Sequence, residues 1–175
     1  MTTQYSEILK YNGEYVAMPS EPLNVYLKKK EIEFVLSSTA CWRGYKGKWE
    51  IENEKLFLNE LEAYIEGYKV VGINYLFPEK QRVFADWFSG EVRIVKGELL
   101  KYVHMGYQSI YEKDIFLEFK NGILIKKREV DNREIFLKQK EEGYVLVRRK
   151  MEFPFFNLGR SYCFSDFNSV VSCLL

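Results

Sequence analysis

The sequence predicts a mostly β fold: an antiparallel meander of about five hairpins forming a barrel or a sandwich, with at most one short helix near the C-terminus. Three observations predict it. Short runs rich in β-branched and aromatic residues recur along the chain, Asn-Gly and related turn markers separate them, and apolar and charged residues alternate within them. Many short strands with tight turns favour a closed or stacked sheet, because closure and stacking remove exposed edges.

The elements follow in chain order. Asn12-Gly13 separates residues 5–10 from 14–18, and Asn121-Gly122 separates 114–120 from 123–130. Asn-Gly tolerates the positive φ that a type I′ turn requires at both central positions, so these are the strongest hairpin signals. Glu52-Asn53-Glu54, Lys96-Gly97 and Glu142-Gly143 are weaker markers of the same kind. Between them, Trp49 and Ile51 alternate with Lys48, Glu50 and Glu52, and Val92 and Ile94 with Glu91 and Arg93. Ile115, Leu117 and Phe119 share a face; Phe116 falls among the polar residues opposite, which requires local cover there. Ile135 with Leu137, then Val145 with Val147, carry the alternation into a last hairpin. Helical patterning is confined to a short segment near residues 165–173, where Ser165 can cap a turn with Phe167, Val170, Val171 and Leu174 on one side. Residues 1–175 read as one β-rich domain, with 151–175 as an apolar C-terminal extension packing on it.

Composition excludes several classes. With 47% hydrophobic and 29% charged residues the chain is neither disordered nor collagen-like, and a 20.9 kDa chain buries about 70% of its unfolded surface without metals or disulfides. Lys plus Arg number 26 against 25 for Asp plus Glu, so net charge gives no general attraction to nucleic acid or an anionic membrane. The N-terminus lacks a basic segment followed by an apolar one, and no stretch approaches the roughly 18 apolar residues of a membrane span, so the expectation is a cytoplasmic protein. Cys41, Cys163 and Cys173 form no C-x-x-C pair, which leaves them as small buried hydrophobes. The sharper reading of Cys41, a catalytic thiol, has only His104 to draw on as imidazole. Neither zinc nor calcium ligand spacing occurs, nor a P-loop, G-x-G-x-x-G or G-x-S-x-G, so no metal and no cofactor is expected.

Two segments carry more polar aromatics and ionisable groups than strand building needs. One is TACWRGYKGKWEI from Thr39; the other runs from FADWFSGEVRI, beginning at Phe84, to LLKYVHMGYQSIYE, beginning at Leu99. These strings resemble those of a bacterial protein family to which no activity is attached. The resemblance covers residues 14–132 and implies a bacterial, cytoplasmic origin, without assigning a catalytic residue.

Read from the residues themselves, Arg43 can stack on Trp42 or Tyr45 and clamp a carboxylate such as Asp86. That arrangement serves either as an internal strut or as the lip of a binding site. His104, the sole histidine, lies between Tyr102 and Tyr107; the readings are a hydrogen-bonded structural residue, a binding contact, or a general base. The preferred expectation is a non-enzymatic module that presents Trp42, Arg43, Tyr45, Asp86, Trp87, His104, Tyr107, Tyr111 and Glu112 to an unknown protein or small ligand. Tyr, Trp and Arg dominate binding hot spots because they bury large rigid areas and keep a polar handle. An immunity or inhibitor protein that caps a toxin is one concrete version. The alternatives are an enzyme using His104 with Asp86 or Glu112, and a single-strand nucleic-acid binder using Arg43, Tyr45, Lys46, Lys48 and Trp49. The basic clusters Lys28-Lys29-Lys30, Lys126-Lys127-Arg128 and Arg148-Arg149-Lys150 read instead as lysine-guarded sheet edges.

Overall fold

The structure is a computed structural model that describes residues 2–134 and Leu137. Strands β1 (Glu7–Tyr11) and β2 (Glu14–Met18) precede helix α1 (Leu23–Lys30). β3 (Tyr45–Glu52) and β4 (Lys55–Ile65) follow, then a 3-10 turn at Glu66–Tyr68, β5 (Lys69–Val71), the single-turn helix α2 (Ile73–Leu76) and β6 (Val83–Phe84). β7 (Gly90–Lys101), β8 (Ile110–Lys120) and β9 (Ile123–Asp131) complete the described chain. All nine strands belong to one sheet of order β2-β1-β3-β4-β9-β8-β7, with β5 and β6 attached to β4. The fold is mostly β, as the alternation predicts. The hairpin expected at Glu142-Gly143, the helix at 165–173 and the extension 151–175 lie outside the described residues.

The strongest turn markers behave as local sterics require. Asn12 and Gly13 take φ of 52° and 84°, Asn121 and Gly122 take 50° and 76°, and each pair joins adjacent antiparallel strands. At Gly122 space matters as well as φ: an added Cβ would lie 2.5 Å from the Ala85 carbonyl oxygen. Lys96-Gly97 is not a turn. Gly97 sits inside β7, where pairing with β8 shifts register between Lys96 and Leu99, because a bulge recruits a positive-φ glycine as readily as a hairpin does.

The pairing is also less uniform than a meander. β1 runs antiparallel to β2 but parallel to β3, with Leu9 opposite Trp49. β4 meets β9 at a single position, Lys55 opposite Ile123. The end strands β2 and β7 approach through a Glu14–Lys96 ion pair of 3.0 Å, and Ser20 Oγ accepts from the Arg93 amide at 2.9 Å, so the sheet curls round its core without a closing ladder. Helix α1, absent from the sequence expectation, buries Leu23 and Leu27 one turn apart; it lacks a side-chain cap and first-turn acids, the usual start signals.

The core holds Leu9, Met18, Tyr45, Trp49, Leu56, Leu58, Val92, Ile94, Ile115, Leu117 and Phe119. Each such burial contributes about 1.5–3 kcal/mol before the entropy of ordering is counted. The cover that Phe116 requires comes from Arg128, whose guanidinium lies 4.2 Å from the ring centroid.

Candidate functional site

Period-2 geometry turns Glu7 inward with Leu9 and Tyr11, and Tyr45 inward with Gly47 and Trp49. Parallel pairing of β1 with β3 then sets a carboxylate against an indole: Trp49 Nε1 donates to Glu7 Oε2 at 2.6 Å. Gly47 leaves room for this bond, since a Cβ there would overlap both Glu7 Oε2 and Trp49 Nε1. The other Glu7 oxygen lies 2.9 Å from Arg43 Nε, a close ion pair whose N–H is not aligned for a hydrogen bond.

Arg43, with 4% of its side chain exposed, organises the surroundings. Its Nη1 donates to the Tyr107 hydroxyl at 2.6 Å and to the Tyr5 carbonyl at 2.7 Å, and lies 3.7 Å from Glu21 Oε1. The Tyr107 hydroxyl in turn donates to Glu21 Oε1 at 2.7 Å. Asn24, at the start of α1, donates to the second Glu21 oxygen and accepts from the Tyr45 hydroxyl at 2.8 Å. Burial pushes the Glu7 carboxyl up to about 7, against the opposing pull of Arg43 and Trp49. For Arg43, burial lowers the pKa, but the charge of Glu7 and then of its other partners outweighs it and keeps the guanidinium ionised. Burial first, and the Glu21 charge second, raise the Tyr107 phenol beyond ordinary titration.

A second buried group joins the first at Tyr107. Arg93 donates through Nε and Nη2 to Asp114 at 2.9 and 2.8 Å, and through Nη1 to the Tyr107 carbonyl at 2.9 Å. Asn132 donates to the other Asp114 oxygen at 3.0 Å.

Outside these networks the chain is stitched at its surface. The Gln4 amide donates to the Gly106 carbonyl, the Tyr5 amide to the Ala40 carbonyl, and the Trp42 amide to Gln4 Oε1. Thr3 donates to the Tyr102 hydroxyl, which also hydrogen-bonds His104 Nδ1 at 2.9 Å. One strip of backbone therefore ties the loop before β3 to the loop before β8. Tyr5, Trp42 and Tyr102 stand 55%, 50% and 57% exposed on it, with His104 exposed beside them.

The nine residues expected at one site thus divide. Arg43, Tyr45 and Tyr107 converge, but as the interior of the stitched region, Tyr45 being wholly buried. Trp42 and His104 lie on its surface. Asp86 and Trp87 do not join them: Trp87 donates to the Pro22 carbonyl and stacks on Phe77, and both residues line a cleft beside α1. The expected Arg43–Asp86 clamp is not formed, because Glu7 and Glu21 occupy the guanidinium. Tyr111 and Glu112 face the end of β9, where their carbonyls accept from Asn132; Glu112 Oε2 also accepts from the Glu98 amide in the β7 bulge. Cys41 is buried and donates to the Tyr45 carbonyl at 3.2 Å.

The basic-aromatic stripe is not a surface, since Arg43, Tyr45 and Trp49 point inward. Among the described residues no cluster of His, Cys, Asp and Glu has the arrangement to hold a metal, and no helix is long and apolar enough to cross a membrane. Glu7, Glu21, Tyr5 and the Arg93–Asp114 pair were not singled out by sequence. The available signal for Glu7 was a carboxylate on the same strand face as Leu9 and Tyr11. No family model, curated protein or solved structure matches this chain, so its assignment rests on the geometry above.

Proposed function

We propose that this chain is a non-enzymatic cytoplasmic binding module that docks a partner protein, in the manner of an immunity or inhibitor protein capping its target. The observation that carries the reading is the strip at Thr3, Gln4 and Tyr5, bonded on one side to Ala40 and Trp42 and on the other to Tyr102 and Gly106. It gathers exposed Tyr5, Trp42, Tyr102 and His104 onto one surface. The Arg43–Tyr107 network beneath it fixes both loops, so their aromatic side chains meet a partner with little backbone ordering left to lose.

The placements do not favour the enzyme reading. His104 hydrogen-bonds a phenol, Glu112 is engaged by the β7 backbone, and Asp86 lies in the cleft beside α1. A general base needs its carboxylate partner or substrate within hydrogen-bond reach.

The test compares the full chain with a Tyr5→Ala, Trp42→Ala, His104→Ala variant in crosslinking and affinity capture from a bacterial lysate. All three side chains are exposed, so thermal melting should be close to wild type. The expected result is one stoichiometric partner whose capture falls at least about tenfold in the variant. Equal capture by a folded variant would overturn the reading.

A further inference from the structure

Beside α1, Tyr26, Lys29, Lys30, Asp86 and Trp87 line a cleft of about 240 Å³ that shares no residue with the Trp42 surface. Its aromatic wall is fixed from behind. Trp87 stacks on Phe77 at 5.4 Å with planes 15° apart, Tyr26 leans on both rings, and the indole N–H is held by the Pro22 carbonyl at 3.3 Å. Rings held this way need no ordering when something packs against them.

Several lysines on the sheet are neutralised: Lys10, Lys48, Lys96 and Lys113 each hold a carboxylate within 3.2 Å. In the cleft, Lys29 and Lys30 share walls with Asp86, yet among the described residues these three form no ion pair with one another or with any other group. Opposite charges across a concave aromatic surface, unpaired, fit a molecule that carries the complementary charges at two points. The cleft is open to solvent and its volume lies below the roughly 300–1,000 Å³ of drug-sized sites, a size that suits about one ring with its charged groups.

We propose that this cleft binds a free aromatic amino acid or a close zwitterionic equivalent. Its carboxylate meets Lys29 and Lys30, its ammonium meets Asp86, and its ring packs on Tyr26 and Trp87. Each contact uses a different chemical group, so each can be removed from either side.

The probes are L-phenylalanine, 3-phenylpropionate, which lacks the ammonium, and phenethylamine, which lacks the carboxylate. They are titrated calorimetrically into the full-length protein. L-Phenylalanine should saturate below about 1 mM, with each truncated probe at least about tenfold weaker. In Asp86→Ala the preference for L-phenylalanine over 3-phenylpropionate should vanish; in Lys29→Ala, Lys30→Ala the preference over phenethylamine should vanish. These three positions are on the surface, so folding is not at stake. Failure of L-phenylalanine to saturate, equal binding of all three probes, or preferences unchanged in both variants would each overturn the proposal.

Discussion

Replacing Glu7 with Gln should alter how stability responds to pH more than it alters stability itself. The carboxyl titrates near 7 in the folded protein against an ordinary 4.5, and burial is the main cause. Below pH 4.5 both states carry the proton and this group costs nothing. Between 4.5 and 7 the unfolded chain releases its proton while the folded one retains it, so stability falls as pH rises, and above 7 the full penalty is present. The gap between 4.5 and about 7, at about 1.4 kcal/mol for each step of one in pH, comes to about 3–4 kcal/mol. Urea unfolding at pH 5 and pH 8 measures it. Wild type should lose about 2–3 kcal/mol more than Glu7→Gln over that interval, since a small part of the penalty is already present at pH 5, and Gln still accepts from Trp49 but has no proton to lose. Identical pH responses would refute the reasoning. A wild type that gains stability relative to the variant on raising pH would show that attraction to Arg43, at 2.9 Å, exceeds the cost of burying the charge.

Arg93→Ala should cost about 3–5 kcal/mol in chemical denaturation, because it leaves the buried Asp114 carboxyl with only Asn132 as side-chain partner; adding Asp114→Ala should recover part of the loss. Gly122→Ala should destabilise by about 2 kcal/mol or more and Gly13→Ala by about 1. Both take positive φ, but only the first adds a methyl against the Ala85 carbonyl. Equal melting temperatures for the two glycine variants would refute the close-approach argument.

The sequence disclosed those parts of the fold that are local. Asn12-Gly13 and Asn121-Gly122 act through their own dihedral angles, and the alternation at Trp49, Val92 and Ile115 acts through strand geometry, so both could be read directly. The parallel pairing of β1 with β3 could not, since it joins segments separated by a hairpin, a helix and a loop. Gly97 was ambiguous because turns and bulges demand the same conformation. Arg43 was recognisable as a clamp, but its partner was not: Asp86, Glu7 and Glu21 are chemically equivalent candidates, and only topology selects the last two. Asp86 and Trp87, expected beside Arg43, instead follow β6 toward α1.

Tyr107 is gripped at both of its ends. Its phenol leads through Arg43 to Glu7 on β1, and its carbonyl leads through Arg93 to Asp114 on β8. A solvent-facing connection secured in this way has no opening motion of its own, because freeing it requires two largely covered guanidinium groups to lose their anchors together. Its amide hydrogens should therefore exchange with solvent at the slow pace of the strands that hold it, and a force applied there would be felt first in the sheet.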